Sequence, residues 1–371
     1  MKTIRRFLYR EILAAVAFVA IGFLALFFFF DFVDELRYIG KSGVLEYKLI
    51  HALAFVTLSL PNHLYELLPI AVLIGTIFVM ARLAQSSEFT IMRTSGLGPW
   101  RALQTLLILG LGFVVLTFAV GDYIAPASEK AAQFIKSRAQ GRLSTGLTGA
   151  WLKEQQDYSS FAVNVRELDN AGTMHQLRIV EMDNRGHIIS TTQAARAQFG
   201  NDDAWNLSEV VRSDFPTTSD AGKVPLRVDT RRLETLRWPT RITAEMVAAS
   251  LLRPERMRAL DLFQYIRHLD ANGQSAQRYE IEFWRKVFYP LSCLVMVVLA
   301  LPFAYLHFRS GGIATYVFGG VLAGISFFLL NNVFGYIGNL QNWQPWLAAS
   351  APGIIYSLLS LAAFGWLVLR R

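Results

Sequence analysis

Six histidines and one cysteine are the side chains best suited to metal binding or catalysis, but their spacing matches no known site. The histidines are His51, His63, His175, His187, His268 and His307, and they do not cluster at ligand spacing. Gly40-Lys41-Ser42 resembles the end of a phosphate-binding loop, but Glu35 stands where the first glycine belongs. No His-Glu-x-x-His or Gly-x-Ser-x-Gly motif occurs. The sequence therefore predicts no catalytic residue, no metal and no cofactor, and any ATP that drives this protein would be bound by another subunit.

Basic residues follow two of the apolar runs in the chain. Arg37 and Lys41 come after a run that ends near position 30, and Lys130, Lys136 and Arg138 come after one that ends near position 122. Such bases can form charge-assisted hydrogen bonds to phosphate groups at a membrane surface. The alternative is that they extend toward lipid headgroups without a specific ligand.

The segment from Ala84 to Trp100 predicts a short helix between two apolar runs. Ser86 or Ser87 can cap its start, Gly96 can end it, and Pro99 suits the first turn of the next helix. Inside this segment Glu88 and Arg93 are charged, and Phe89 and Met92 share one helical face. The pattern indicates either insertion into a groove of a soluble partner or an amphipathic helix on the lipid headgroups.

Composition identifies the elements that must position these residues. Hydrophobic residues make up 53% of the 371 residues, charged residues only 17%, and mean hydropathy is +0.34. Soluble domains carry about 25% charged residues, and disordered chains are poor in aromatics, so both classes are excluded. Cys293 is the only cysteine, which excludes a disulfide scaffold. We predict six transmembrane helices, at about 11–31, 64–83, 101–122, 284–306, 312–334 and 346–368.

Basic residues are unevenly distributed between the two sides of these spans. If the N-terminus is cytoplasmic, the cytoplasmic segments hold ten bases and two acids, an excess that equals the formal charge of +8. Both termini are then cytoplasmic, because the number of spans is even. The excess reflects topology, so no nucleic-acid partner is expected.

Residues from about 143 to 238 have the pattern of an inserted all-β domain. Alternating segments are separated by turn clusters, as in an antiparallel sandwich or jellyroll. The predicted strands are 160–165, 176–181, 188–192, 205–211 and 226–230. The domains are then residues 1–140 with three spans and the short helix at about 86–96, residues 141–256 with the β-jellyroll, and residues 257–371 with a linker helix and three spans.

Three segments resemble the LptF/LptG family of lipopolysaccharide export permeases. They are Gln85–Gly96, Leu60–Gly75 and Arg278–Leu291. The order of three spans, a β domain and three spans extends this resemblance over essentially the whole chain. Three shorter segments, Phe32–Leu36, Ile124–Pro126 and Trp205–Val210 with Phe199 before it, are more similar to the LptG branch of the family than to LptF.

The resemblance implies a half-transporter in the bacterial inner membrane. In that family LptF and LptG pair around a lipid-accessible cavity, and two copies of the ATPase LptB bind beneath them. ATP binding and hydrolysis move lipopolysaccharide out of the membrane, and periplasmic β-jellyroll domains pass it to LptC and the periplasmic bridge. Expected partners are therefore LptF, an LptB dimer, LptC, lipopolysaccharide and membrane lipids.

The resemblance also implies roles for individual residues. Arg37 and Lys136 match positions at which the family has phosphate-contacting bases, with Lys41, Lys130 and Arg138 nearby. Phe27 and Phe30 would contact acyl chains, unless they simply face lipid. Glu88, Phe89, Met92 and Arg93 would couple to the ATPase. Asp31 and Tyr38 depart from the pattern, because some LptG chains have lysine there.

Several alternatives stay open at this point. The chain could be the paralogous LptF half. Lipoprotein-releasing permeases have four spans with the outer domain after the first, which disagrees with the β domain here. A lipid A-modifying enzyme would need a metal or nucleophile cluster, and a simple membrane anchor would not need six spans. Gly320 and Gly324 could line a gate between subunits or pack within one chain.

Overall fold

The computed structural model divides the chain into two compact units. The membrane unit comprises Met1–Tyr38, Ala52–Ala132 and Gln277–Arg371, and the β unit comprises Ile39–His51 and Gln133–Ala276. The structure describes residues 2–39, 47–140, 150–156, 159–168, 172–200, 204–215, 228–243, 246–247, 254–305 and 313–366. Lys41 lies outside the described residues, as do the side chains of Lys136 and Arg138.

Long apolar helices dominate the membrane unit. The helices with residues in this unit are α1 (Lys2–Leu36), α2 (Leu49–Gln85), the short α3 (Glu88–Thr94), α4 (Pro99–Ala119), α5 (Ala125–Gln140), α7 (Gln277–Phe288), α8 (Ser292–Ala300), α9 (Ile313–Leu340) and α10 (Pro345–Phe364). Residues 133–140 of α5 belong to the β unit. A π-helical turn, Val120–Ile124, joins α4 to α5, and 3₁₀ turns Tyr289–Leu291 and Leu301–Tyr305 adjoin α8.

Six of these helical segments are long and apolar enough to cross a bilayer, which confirms the prediction of six spans. They are Thr3–Leu36, Leu49–Gln85, Pro99–Gln133, Gln277–Tyr305, Ala314–Leu340 and Pro345–Phe364. The observed helices are longer than the predicted spans because a helix can continue past the apolar core into water. With its 37 residues α2 is about 55 Å long, well beyond the roughly 30 Å hydrocarbon core.

The core of the membrane unit is centred on α2. In its most apolar window 78% of the residues are buried, compared with 11% in α1. Gly320 and Gly324 of α9 face α2, since a Cβ at either glycine would lie 2.7 Å from Ile77 Cδ1 or 2.8 Å from Ile70 Cγ2. Of the two interpretations of these glycines, the structure therefore supports packing within the chain.

The β unit contains a six-stranded antiparallel sheet, which confirms the inserted all-β domain. The strands are β1 (Ala150–Gln155), β2 (Ser159–Leu168), β3 (Met174–Asp183), β4 (Ile188–Phe199), β5 (Ala204–Asp214) and β6 (Asp229–Pro239). Each strand pairs with the next one in sequence, so the described strands form successive hairpins in a single sheet. Strand β1 is not predicted by the sequence pattern, because its Lys153-Glu154-Gln155 end is too polar to be recognised as a strand.

Helix α6 (Ala259–Ala271) completes the β unit. Its buried face carries Leu262, Tyr265, Ile266 and Leu269, whereas Leu260 and Phe263 point outward. Leu260, Phe263 and Ile266 are spaced as a partial amphipathic stripe, but only Ile266 of the three lies on the buried face. The reason is that α6 has apolar residues on two faces, and its periodicity alone does not say which face is buried.

Candidate functional site

The short helix α3 begins without the expected side-chain cap. Ser87 occupies the N-cap position with φ +60°, but its side chain makes no capping hydrogen bond. Ser86 Oγ instead donates to the carbonyl of Leu83, 3.4 Å away. Glu88 lies in the first turn, where a carboxylate interacts favourably with the positive end of the helix.

Gly96 ends α3 as the sequence predicted. Its φ of +100° is accessible to glycine at low cost. The Gly96 amide donates to the Arg93 carbonyl and the Leu97 amide donates to the Met92 carbonyl, each at 3.0 Å. These two bonds form a Schellman motif, and Pro99 then begins α4 at its first position. The chain therefore reverses sharply between α3 and the third span.

Phe89 anchors α3 to the membrane unit. Its side chain is only 2% exposed, and its ring packs edge-on against Tyr305 with 5.1 Å between the centroids. The Arg93 guanidinium lies 5.1 Å above the same Tyr305 ring, and Met92 is partly buried beside this cluster. This arrangement differs from the sequence prediction, in which Phe89 filled a groove of a partner. Ile91, at 63% exposed, is the apolar residue that α3 presents to its surroundings together with Glu88.

A charge pair links the first two spans at their α3 end. Arg82, in the last turn of α2, forms an ion pair with Glu11 of α1. Both side chains are partly exposed, so the pair is screened by water and contributes modestly to stability. It nevertheless connects α3 to α1 through the end of α2.

The aromatic run at the opposite end of α1 is divided between two environments. Phe27 stacks on His63 of α2 with 4.8 Å between ring centroids, and His63 Nε2 lies 2.6 Å from Asp31 Oδ2. Phe30 points away from this contact and is 56% exposed. Phe30 therefore offers open apolar surface, as does Phe29 at 59% exposed, whereas Phe27 helps to hold α1 against α2.

Among the predicted phosphate-contacting bases, the two whose side chains the structure describes lie on separate elements. Arg37 follows α1 and pairs with Asp34 at 3.3 Å, with both side chains largely exposed. Lys130 is exposed on α5, in the stretch after the third span. Exposed pairs such as Arg37 with Asp34 contribute about 0–1 kcal/mol, so the guanidinium can exchange its partner for another anion.

A buried polar cluster in the fourth span was missed by sequence analysis. Arg285 donates from Nη1 to Glu282 Oε1 at 2.8 Å and from Nη2 to the carbonyl of Asn331 in α9 at 2.7 Å. Lys286 is only 7% exposed and donates to the carbonyl of Gly121 at 3.2 Å. The available signal was two adjacent bases inside a predicted span, since intramembrane charges are costly and usually functional.

No group of three or more His, Cys, Asp or Glu that could hold a metal ion occurs among the described residues. The described residues form six helices long enough to cross a membrane, a short helix α3 with an exposed face, and an inserted antiparallel sheet. These features define a multi-pass helical membrane protein with an inserted all-β domain.

Comparison with known proteins narrows this class. Residues 6–369 match the family of the lipopolysaccharide export system permease LptF/LptG, and the chain belongs to that family. It is 27% identical over 343 residues to the lipopolysaccharide export system permease protein LptG of Escherichia coli strain K12, which covers 92% of this chain and 90% of the relative. It is also 27% identical over 379 residues to the protein of that name from Haemophilus influenzae Rd, covering 100% of this chain and 99% of the relative.

Proposed function

We propose that this chain is the LptG half of an ABC transporter that extracts lipopolysaccharide from the inner membrane. The observation that carries this proposal is the family match over residues 6–369, which includes both sets of three spans and the inserted sheet. The names of the two relatives favour LptG over LptF, as does the similarity of Phe32–Leu36 and Ile124–Pro126 to that branch. The partner half would be LptF, and the β domain would pass lipopolysaccharide to LptC and the periplasmic bridge.

The proposed topology places both termini and α3 in the cytoplasm and the β unit in the periplasm. The asymmetry of ten bases and two acids on the side of the termini supports this orientation. It puts Glu88 on the side where ATP is available and Arg37 on the opposite side.

Helix α3 is proposed to be the contact with an LptB dimer, which binds and hydrolyses the ATP. Glu88 and Ile91 form the contacting surface because both are exposed on the same face. Phe89 and Arg93 have a different role, since both pack against Tyr305 at the end of the fourth span. A movement of the ATPase would thereby reach the span through a rigid contact.

The substrate path is proposed to follow the periplasmic end of α1 and the start of α5. Arg37, Lys130 and Lys136 would contact phosphates, with Lys41 and Arg138 as further candidates, and Phe30 would contact acyl chains. The exposure of Arg37 and Phe30 supports these roles. A phosphate can replace the carboxylate of Asp34 at little cost, because that pair is solvated.

Complementation tests the assignment to LptG. Expression of this chain should restore growth of cells depleted of LptG but not of cells depleted of LptF. The purified chain should hydrolyse no ATP, and hydrolysis should appear when it is assembled with LptF and LptB. Rescue of LptF-depleted cells alone would contradict the assignment. ATP hydrolysis by the purified chain would contradict the proposal that a separate subunit binds and hydrolyses the ATP.

Photo-crosslinking tests the substrate path. A crosslinker at position 37 or 136 should trap lipopolysaccharide in an exporting complex. The matched control is position 358, because Leu358 is 63% exposed on the sixth span. Equal trapping at all three positions would indicate general lipid contact rather than a path.

A further inference from the structure

The third span changes its helical register next to a proline. The helix runs from α4 through the π-turn Val120–Ile124 into α5, where Pro126 is the second residue. In a regular α-helix the Pro126 ring would meet the carbonyl of Asp122, four residues earlier. The π-turn relieves this clash by widening the helix, and the Ala125 amide accordingly donates to the Val120 carbonyl, five residues back.

This register leaves the Gly121 carbonyl without its usual backbone donor. Its partner four residues on would be the Ala125 amide, which is committed to Val120. Its partner five residues on would be the nitrogen of Pro126, which carries no hydrogen. Gly121 is buried within the third span, where an unsatisfied carbonyl is costly because no water replaces the missing donor.

Lys286 supplies the missing donor from the fourth span. Its Nζ lies 3.2 Å from the Gly121 carbonyl oxygen and 5.7 Å from the centre of the Tyr65 ring. The Tyr65 ring packs so closely on Gly121 that a Cβ at that position would collide with it. The ammonium therefore reaches the carbonyl in a site formed by the second, third and fourth spans.

We infer that Lys286 is a positioning residue for the third span. Its ammonium replaces the amide that Pro126 lacks, holds the π-turn in place, and so sets the direction in which the helix leaves the membrane as α5. Helix α5 carries Lys130, so the inference rests on the proposed function for the role given to that base. The positioning step itself depends only on the contacts of Gly121, Pro126 and Lys286.

A double-mutant cycle in the reconstituted transporter tests the link between Lys286 and Pro126. Lys286→Met keeps the length of the side chain but removes the donor. We expect it to reduce lipopolysaccharide export about tenfold, the order of effect of one unsatisfied buried carbonyl. Pro126→Ala restores a backbone N–H, so in that background Lys286→Met should change export by no more than about twofold. An equal loss in both backgrounds would overturn the inference.

One further variant and one assembly measurement serve as controls for this cycle. Arg278→Met removes an exposed base from the same helix, and export should stay at the wild-type level. If Lys286→Met alone does not accumulate, the Pro126→Ala/Lys286→Met protein should still assemble. Failure of both proteins to assemble would overturn the inference, because restoring the amide would then not have replaced the ammonium.

A distance measurement separates positioning from stability. Spin labels at positions 108 and 127 lie on exposed sites of α4 and α5, about 28 Å apart along the helix. The native Cys293 is buried and should not label. Lys286→Met should broaden the distance distribution, and adding Pro126→Ala should narrow it again. An unchanged distribution with reduced export would overturn the inference. A broadened distribution with normal export would leave Lys286 as a positioning residue and instead overturn the role proposed for Lys130.

Discussion

The two ends of the membrane unit expose phenylalanine very differently. At the α3 end Phe89 is 2% exposed and locked against Tyr305, whereas at the other end of α1 Phe30 is 56% exposed. The arginines at the two ends differ in the same way, one packed on a ring and the other in a solvated pair. Arg93 is stacked on the Tyr305 ring, while Arg37 pairs with the solvated carboxylate of Asp34.

This contrast fits two different tasks. An element that transmits movement must be packed so that it cannot slip, because close-packed interiors transmit strain. A surface that receives and releases a lipid must keep apolar area and charge available, since a side chain already committed to a strong contact cannot exchange it. The end that carries α3 is closely packed, and the end where α1 terminates keeps apolar area and charge exposed.

The largest expected effect is at Phe89. Phe89→Ala should reduce the free energy of unfolding of the membrane unit by about 3–5 kcal/mol, because it leaves a cavity beside Tyr305. Ile91→Ala is the matched control, since it removes an exposed side chain from the same helix and should change stability by less than about 0.5 kcal/mol. Thermal unfolding in detergent measures both. Equal destabilisation by the two variants would break the comparison.

The bases proposed to contact substrate should affect export rather than stability. Arg37→Ala or Lys136→Ala alone should leave the unfolding temperature unchanged and reduce export only slightly. The double variant should reduce export about tenfold or more, because either base can hold the phosphate alone and losing both removes a charge-assisted contact of about 1.5–3 kcal/mol. Export by reconstituted complexes measures this. A large effect of Arg37→Ala on the unfolding temperature would show that this end is also structural.

Glu88 should matter for assembly but not for folding. Glu88→Ala should weaken binding of the ATPase subunit about tenfold, which corresponds to roughly 1.4 kcal/mol for one charged contact. Glu88→Gln keeps the shape and removes the charge, so an equal loss would assign the effect to charge. Titration of the ATPase onto reconstituted permease measures the affinity. Normal affinity in both variants would remove Glu88 from the contact.

The smallest effect is expected in the β unit, as a pH dependence at His268. Burial lowers the pKa of this imidazole below its ordinary value of 6.5, and Glu154 offsets part of that shift. The unfolded chain therefore binds a proton more readily than the folded one. Stability contributed by the neutral ring is fully present above about pH 6.5 and is lost as the pH falls toward the lower pKa of the folded state.

Hydrogen exchange in β1 and α6 measures this dependence. The amides near Asn272, which accepts from the Gln155 amide at 2.9 Å, should lose protection between pH 7 and 5 after correction for intrinsic exchange rates. His268→Gln should flatten the profile, whereas exchange in α3 should not respond. A matching acid response in α3 would show that the effect is not specific to His268.

Much of this fold follows from local sequence alone. Six apolar runs require six spans, since about 20 apolar residues are needed to cross a bilayer. Gly96 and Pro99 mark the end of one helix and the start of the next because each has a backbone preference that neighbouring residues do not share. The alternating segments after residue 143 predict a β domain for the same local reason.

Tertiary structure alone determined which face of each element is buried and which distant residues it contacts. Helix α3 has apolar residues on both sides. Phe89 is the buried one because it packs into the core beside Tyr305, more than two hundred positions away, whereas Ile91 stays exposed. Likewise Pro126 predicts a disturbed helix, but the donor that satisfies Gly121 comes from Lys286, 165 residues further along the chain. Local periodicity carries no information about such contacts, because they depend on which helices pack together and not on the spacing of residues within one helix.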